Sequence, residues 1–198
     1  MNPATPRLAF DLERDVRVLA AMASSLTPYL YEDELYGYLA GNLPKLTLGG
    51  LLLRLHRLTC LEHTLSMEQQ SLLHDARINF EAERAKWAVH YENKIARELR
   101  ARIEALEFFL RECDEDALPC AANYPVQAEK RTMIQLLLEE ASEHEIMEDD
   151  VRARIRQLDQ KLRALLREGA FISDEVLRPA YPPAQFWWLY GHISETGG

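Results

Sequence analysis

The chain of 198 residues sets 23 Lys and Arg against 32 Asp and Glu, a formal net charge of −9, with 47% of positions apolar and three cysteines. That length and apolar content exclude a wholly disordered chain, because a core covering well over half the unfolded surface can form without disulfides or metal. The acidity argues against nucleic acid as a partner, and the longest apolar stretch, Leu46 to Leu55, is broken by Thr47, two glycines and Arg54, short of the roughly 18 residues that span a bilayer. The first fifteen residues contain three acids and no apolar h-region, unlike a secretory signal. An odd set of cysteines, Cys60, Cys113 and Cys120, fits a reducing compartment better than a disulfide framework. Together these give a cytoplasmic expectation.

In chain order, a helix is predicted from about Leu8 to Ser25, followed by Tyr29, Tyr31, Tyr36 and Tyr38 around an irregular region from Gly37 to Gly50. Gly49-Gly50 reads as a turn into a helix carrying Leu51, Leu52, Leu55 and Leu58. Residues 65–113 contain neither Gly nor Pro, and Leu72, Ala76, Phe80, Trp87, Tyr91, Ile95, Leu99, Ile103, Leu106 and Leu110 recur at helical steps. A single helix there would run roughly 70 Å. A turn is expected over 114–125, around Pro119 and Pro125. A second helical stretch, from about Val126 to Ile146, presents Met133, Ile134, Leu137, Leu138 and Ala141. A third begins near Asp149 or Asp150, carries Val151, Ile155, Leu158, Leu162 and Leu165, and stops at Gly169 as a C′ residue.

The resulting fold class is all-α: a long antiparallel, coiled-coil-like helical hairpin with a small head formed by the N- and C-terminal segments. Its parts are residues 1–64 as the first part of the head, 65–168 as the hairpin, and 169–198 as an aromatic tail packing on the head. The competing architecture is a compact four- or five-helix bundle in which 65–113 is two helices. An exposed arm of this kind can also recruit a second copy of the chain, so a homo-oligomer is an open expectation.

Catalytic constellations are sparse. None of the six histidines has Glu three residues before it, so the paired Glu-x-x-His motif of dimetal bundles is absent. Cys60-Leu61-Glu62-His63 has metal-ligand spacing, but a zinc site completed by Cys113 and Cys120 requires ligands at opposite ends of helix 65–113. No Gly-x-Ser-x-Gly elbow or phosphate-binding Gly-rich loop occurs. The acidic run places Glu139, Glu140 and Glu143 on adjacent turns, similar to the first half of the Mg²⁺ motif of all-α nucleoside triphosphate pyrophosphohydrolases. The second half of that motif, Glu-x-x-Asp, is missing: Phe171 and Arg178 stand three residues after Glu168 and Glu175. A solvated acidic face at a helix end is the favoured reading of the run. The segment Phe186-Trp187-Trp188-Leu189-Tyr190 cannot turn all its side chains one way, so Phe186, Trp187, Trp188 and Tyr190 are the candidate partner-binding residues, against burial in the head.

Two further stretches carry a family resemblance. Tyr36-Gly-Tyr-Leu-Ala-Gly-Asn-Leu-Pro-Lys-Leu-Thr-Leu48 resembles the Tyr-Tyr-Leu, Leu-Pro-x-Leu opening of a bacterial helical family encoded beside V-type ATPase subunits, similar in turn to the helical component that links the rotor of that ATPase to its membrane ring. Trp87, Tyr91-Glu92 through Glu98-Leu99-Arg100, Leu158-Asp159 through Leu165, Phe171, Val176-Leu177 and Tyr181 follow its helical pattern. The chain departs from it in having about 35 residues before Tyr36 and Ala101 after Leu99-Arg100. The resemblance implies a non-enzymatic role in an assembly and brings no catalytic residue with it.

The functional expectation is a non-enzymatic helical interaction or scaffold protein without a cofactor, holding a protein partner within a larger assembly such as a V-type ATPase. The alternative is a Mg²⁺-dependent nucleotide hydrolase using Glu139, Glu140 and Glu143. The charge is unevenly spread: six bases balance six acids over residues 1–60, and the whole −9 falls beyond them.

Overall fold

A computed structural model describes residues 7–144, 146 and 148–194. The described chain is mainly helical, as the spacing of Gly and Pro predicts. It divides into two compact units, one formed by Asp11–Leu99 with Leu136–Ile146, the other by the described residues of Met1–Phe10, Arg100–Gln135 and Met147–Gly198.

The first unit begins with α1 (Leu12–Ser24), whose first turn is capped by the Asp11 carboxylate accepting from Arg14 N at 2.9 Å. α1 buries Val16, Val18, Leu19 and Met22, and it lies against α3 (Leu48–Cys60) and α4 (Met67–Lys86). Between them runs α2 (Leu26–Tyr31) and the irregular segment closed by mutual backbone hydrogen bonds of 2.9 Å between Gly37 and Leu46. Gly37 fits because a Cβ there would stand 2.8 Å from the Tyr29 ring. Gly49 and Gly50, expected as a turn, form instead the first turn of α3: Thr47 Oγ1 accepts from Gly50 N, and the fully buried Glu98 carboxylate accepts from Leu48 N at 2.7 Å and Gly49 N at 3.0 Å. Asp15 of α1 is 7% exposed and sits 3.5 Å from Arg57 and 3.4 Å from Arg54, both on α3.

The expected helix over 65–113 is two. α4 starts from a Ser66 and Gln69 capping box, and α5 (Ala88–Glu115) follows after Trp87. Trp87 N still donates to Glu83 O and Tyr91 N to Trp87 O, so the ladder is bent rather than abolished. The indole packs edge-on to Tyr31 and His90, ring centroids 5.8 and 5.6 Å away. Without Gly or Pro, nothing in the sequence marks that bend. Tyr91, Ile95, Leu99, Ile103, Leu106 and Leu110 are all buried as predicted, whereas Leu72 is 38% exposed and Leu73 takes the inward position.

The expected turn over 114–125 contracts to Asp116, because α6 spans Ala117–Glu143. Pro119 is tolerated in the first turn, where its missing N–H would have no partner in any case, and Pro125 merely forgoes one rung of the ladder. The reversal brings the Cα atoms of Cys113 and Cys120 to 5.1 Å, and the two form a disulfide. This corrects the expectation of three reduced cysteines; Cys60 remains free. It also removes Cys113 and Cys120 as zinc ligands.

In the second unit α7 (Asp149–Leu165) buries Val151, Ile155, Leu158 and Leu162. It ends before Gly169: β1 (Leu166–Glu168) follows directly and pairs antiparallel with β2 (Gly191–Ile193), Arg167 opposite His192. Gly191 is required there, since a Cβ would fall 2.5 Å from Arg167 O. Two salt bridges tie α7 into its unit: Arg131 reaches Asp159 with both Nε and Nη2 at 2.8 Å, and Arg154 reaches Glu107 at 3.1 and 2.8 Å. Among the described residues no helix is long and apolar enough to cross a membrane.

Candidate functional site

The tail's aromatic cluster separates into an inner and an outer set. After a short helical turn at Glu175–Ala180 and Pro182-Pro183, the chain makes another at Trp187–Leu189. Phe186, Trp188 and Leu189 are buried, while Trp187 and Tyr190 are half-buried. Trp188 is fixed at every edge. Its Nε1–H donates to Thr132 Oγ1 at 3.0 Å, its carbonyl accepts from Tyr124 O–H at 2.5 Å, and the Arg131 guanidinium lies 4.0 Å from its ring centre. Thr132 in turn donates to Ala128 O. Burial pushes the Tyr124 hydroxyl far above its ordinary value, so it stays a donor. Phe186 and Trp188 are therefore core residues, and burial is the correct reading for them.

Trp187 and Tyr190 point the other way. With Arg163, Leu166, Glu168, Gly169 and Pro183 they line an open cavity of about 510 Å³ beside the β1–β2 ribbon. The Arg163 guanidinium lies over the Trp187 ring at 3.7 Å, and Tyr190 O–H donates to Tyr181 O at 2.6 Å. Phe171 supports Tyr190 from behind at a ring separation of 5.0 Å. Such a wall has two flat aromatic surfaces, a cation, a carboxylate and a rigid proline, with Tyr190 backed by the buried Phe171 and Trp187 set against the buried Trp188. It can bind an extended chain by stacking and hydrogen bonding, and it contains no nucleophile with a base beside it. The aromatic run alone could not separate Trp187 and Tyr190 from their buried neighbours, and the sequence offers Arg163 only as a cation suited to a helix C-terminus and Pro183 only as part of the Pro182-Pro183 break before the tail. Only the position of the tail against α7 identifies them.

The acidic run lies partly in the other unit's polar cluster. Glu140 Oε2 accepts from Tyr91 O–H at 2.5 Å and from Arg84 Nη1 at 3.1 Å, with His144 Nε2 at 3.9 Å. Burial, then the Glu140 charge, hold the Tyr91 hydroxyl far above its ordinary value. For Arg84 burial acts to lower the value, but Glu140 and Glu81 outweigh it and the guanidinium is raised. Glu139 is half-buried and Glu143 exposed. Among the described residues, no three His, Cys, Asp or Glu side chains are gathered as metal ligands would be. Glu140 thus serves an internal ion-pair network that spacing alone could not reveal, since Arg84 and Tyr91 lie about fifty residues away in sequence.

Compared with known proteins, the chain matches no family model, no curated protein and no solved structure.

Proposed function

We propose that the protein is a non-enzymatic helical interaction protein that seats an extended segment of a partner protein in the Trp187–Tyr190 groove. The observation that carries this reading is the split within one short segment: Trp188 and Phe186 are locked inside, while Trp187 and Tyr190 face a cavity of about 510 Å³. Rigid aromatic side chains held by a buried second layer supply contact area at low entropic cost, as at binding hot spots. The sequence likeness to the V-type ATPase-associated family supports placing this role within a larger assembly of that kind. A helical hairpin built on α5 and α6 belongs to the same proposal, supported by the reversal at Asp116 and the Cys113–Cys120 bridge. A cytoplasmic setting is also part of it; there the bridge meets a reducing thiol pool and acts as a reversible clamp.

The test is affinity capture from source cells with the native chain and with the double variant Trp187→Ala/Tyr190→Ala. A stoichiometric partner recovered with the native chain and lost with the variant supports the reading; the same partner on both removes it. No observation in the structure favours the nucleotide hydrolase, and a nucleotide panel with Mg²⁺ comparing the native protein with Glu140→Gln addresses it independently.

A further inference from the structure

The two strands of the β1–β2 ribbon differ in exposure. Gly191 and Ile193 of β2 are buried, whereas Arg167 and Glu168 of β1 and the following Gly169 are exposed. The register decides which backbone groups face outward. Gly169 N donates to Tyr190 O at 3.3 Å, and the pairing continues with Glu168 opposite Gly191 and Arg167 opposite His192. Bonded and non-bonded pairs alternate along an antiparallel ladder, so Arg167 turns its amide and carbonyl toward β2 while Glu168 turns both of its own away. Leu166 likewise turns its carbonyl outward, and its amide is already engaged by Leu162 O at the end of α7. Among the described residues nothing bonds to Glu168 N–H, Glu168 C=O or Leu166 C=O. The Trp187–Tyr190 cavity lies along this edge, for it is lined by Leu166 and Glu168 of β1 and by no residue of β2.

An open strand edge is a template for another strand. Strand addition draws affinity from main-chain hydrogen bonds and specificity from the surfaces that receive alternate side chains. Here the edge and the aromatic wall share one cavity, so a segment paired with β1 brings its side chains against Trp187 and Tyr190. The wall also carries a cation without a counterion: Arg163 stacks on Trp187 at 3.7 Å and makes no ion pair among the described residues. We infer that a partner protein adds an extended strand to the outer edge of β1, bonding to Glu168 N–H and to the carbonyls of Glu168 and Leu166, with an acidic side chain of that strand at Arg163. This rests on the partner groove proposed above and supplies its binding mode and the chemistry of the bound segment. A partner helix, whose backbone bonds are internal, could not use the edge.

The experiment selects peptides from a displayed random library on the full chain and titrates synthetic copies of the selected sequences. These are expected to share an acidic position and to bind at least fivefold more weakly to Trp187→Ala and to Arg163→Met. N-methylation along a selected peptide reads the backbone pairing. The amides that donate to Glu168 O and Leu166 O lie two residues apart in the bound strand, so methylating either lowers affinity about tenfold, roughly the worth of one backbone hydrogen bond, and methylating the amide between them has little effect. Glu168→Pro removes the edge N–H without touching the ladder to β2 and weakens binding to a similar degree, whereas Glu168→Gln does not; the Arg167 and His192 amide resonances confirm that the ribbon persists in both. Trp187-dependent peptides without the two-residue N-methyl pattern overturn strand addition and leave the partner groove standing. Failure to select any peptide that depends on Trp187 removes both. A selected set with no acidic position, or one indifferent to Arg163→Met, overturns the assignment of Arg163.

Discussion

The Arg163 guanidinium lies 3.7 Å from the centre of the Trp187 ring, at the edge of an open cavity. One residue further on, Trp188 is 1% exposed and hydrogen-bonded at both its indole and its carbonyl. Neighbouring tryptophans thus have opposite duties, and substitution separates them. Trp188→Ala is expected to destabilise its unit by about 3–5 kcal/mol, because it leaves a large cavity. It also removes the indole donor to Thr132 Oγ1 and leaves Arg131 without its ring. Trp187→Ala should cost about 1 kcal/mol or less, chiefly the lost cation–π contact. Urea unfolding curves of the two variants check this, and equal losses would contradict the division.

Glu98 is entirely buried yet accepts the Leu48 and Gly49 amides at the start of α3. Replacing it with Ala orphans both donors and removes a negative charge from a helix N-terminus, at a cost of about 1–3 kcal/mol. Hydrogen exchange reports the effect locally: the Leu48 and Gly49 amides should exchange faster than those at the middle of α3. Unchanged protection would mean that the carboxylate is dispensable.

Glu107 is held below its ordinary carboxylate value, first by the hydrogen bond from Arg154, with burial opposing it. A depressed carboxylate contributes stability above its unfolded pKa and loses it as pH falls through the folded value. The pair is partly exposed, so the contribution is about 0.5 kcal/mol. Glu107→Gln should therefore lower stability at neutral pH and leave it unchanged at pH values below the folded pKa. An equal difference at both ends of the pH range would contradict the assignment.

The Cys113–Cys120 bridge closes a loop with a sequence separation of 7. Restricting a loop of that size in the unfolded chain corresponds to roughly 2.5 kcal/mol. Reduction, or Cys113→Ser with Cys120→Ser, should lower the unfolding free energy by about that amount, measured as a shift in denaturation midpoint at constant slope. No shift on reduction would show that the unit does not depend on its clamp.

The all-α class and most inward positions of α5 and α7 were legible in the sequence, because a strict apolar period over many turns leaves only one face to bury. Leu72 misled because Leu72 and Leu73 are adjacent and both fit the period within a residue; the packed face of α4 takes Leu73 and leaves Leu72 outside. Pro119 and Pro125 suggested a long turn, but Pro119 falls in the first turn of α6 where its N–H has no partner to lose, and at Pro125 the helix continues with one rung missing. The bend at Trp87 and the cap from Glu98 to Leu48 depend on partners far away in sequence. At the site, composition pointed to the tail, yet Trp187 and Trp188 are the same residue type at adjacent positions. Their separation into exposed and buried is decided by Thr132, Tyr124 and Arg131, none of which belongs to the tail.

Whether Trp187 and Tyr190 seat a partner protein is decided by photo-crosslinking in source cells. A photoreactive amino acid at position 187 is compared with the same group at the exposed position 104. One discrete protein adduct is expected from position 187, absent from position 104 and abolished by Tyr190→Ala. No adduct from position 187, or the same adducts from both positions, would contradict it.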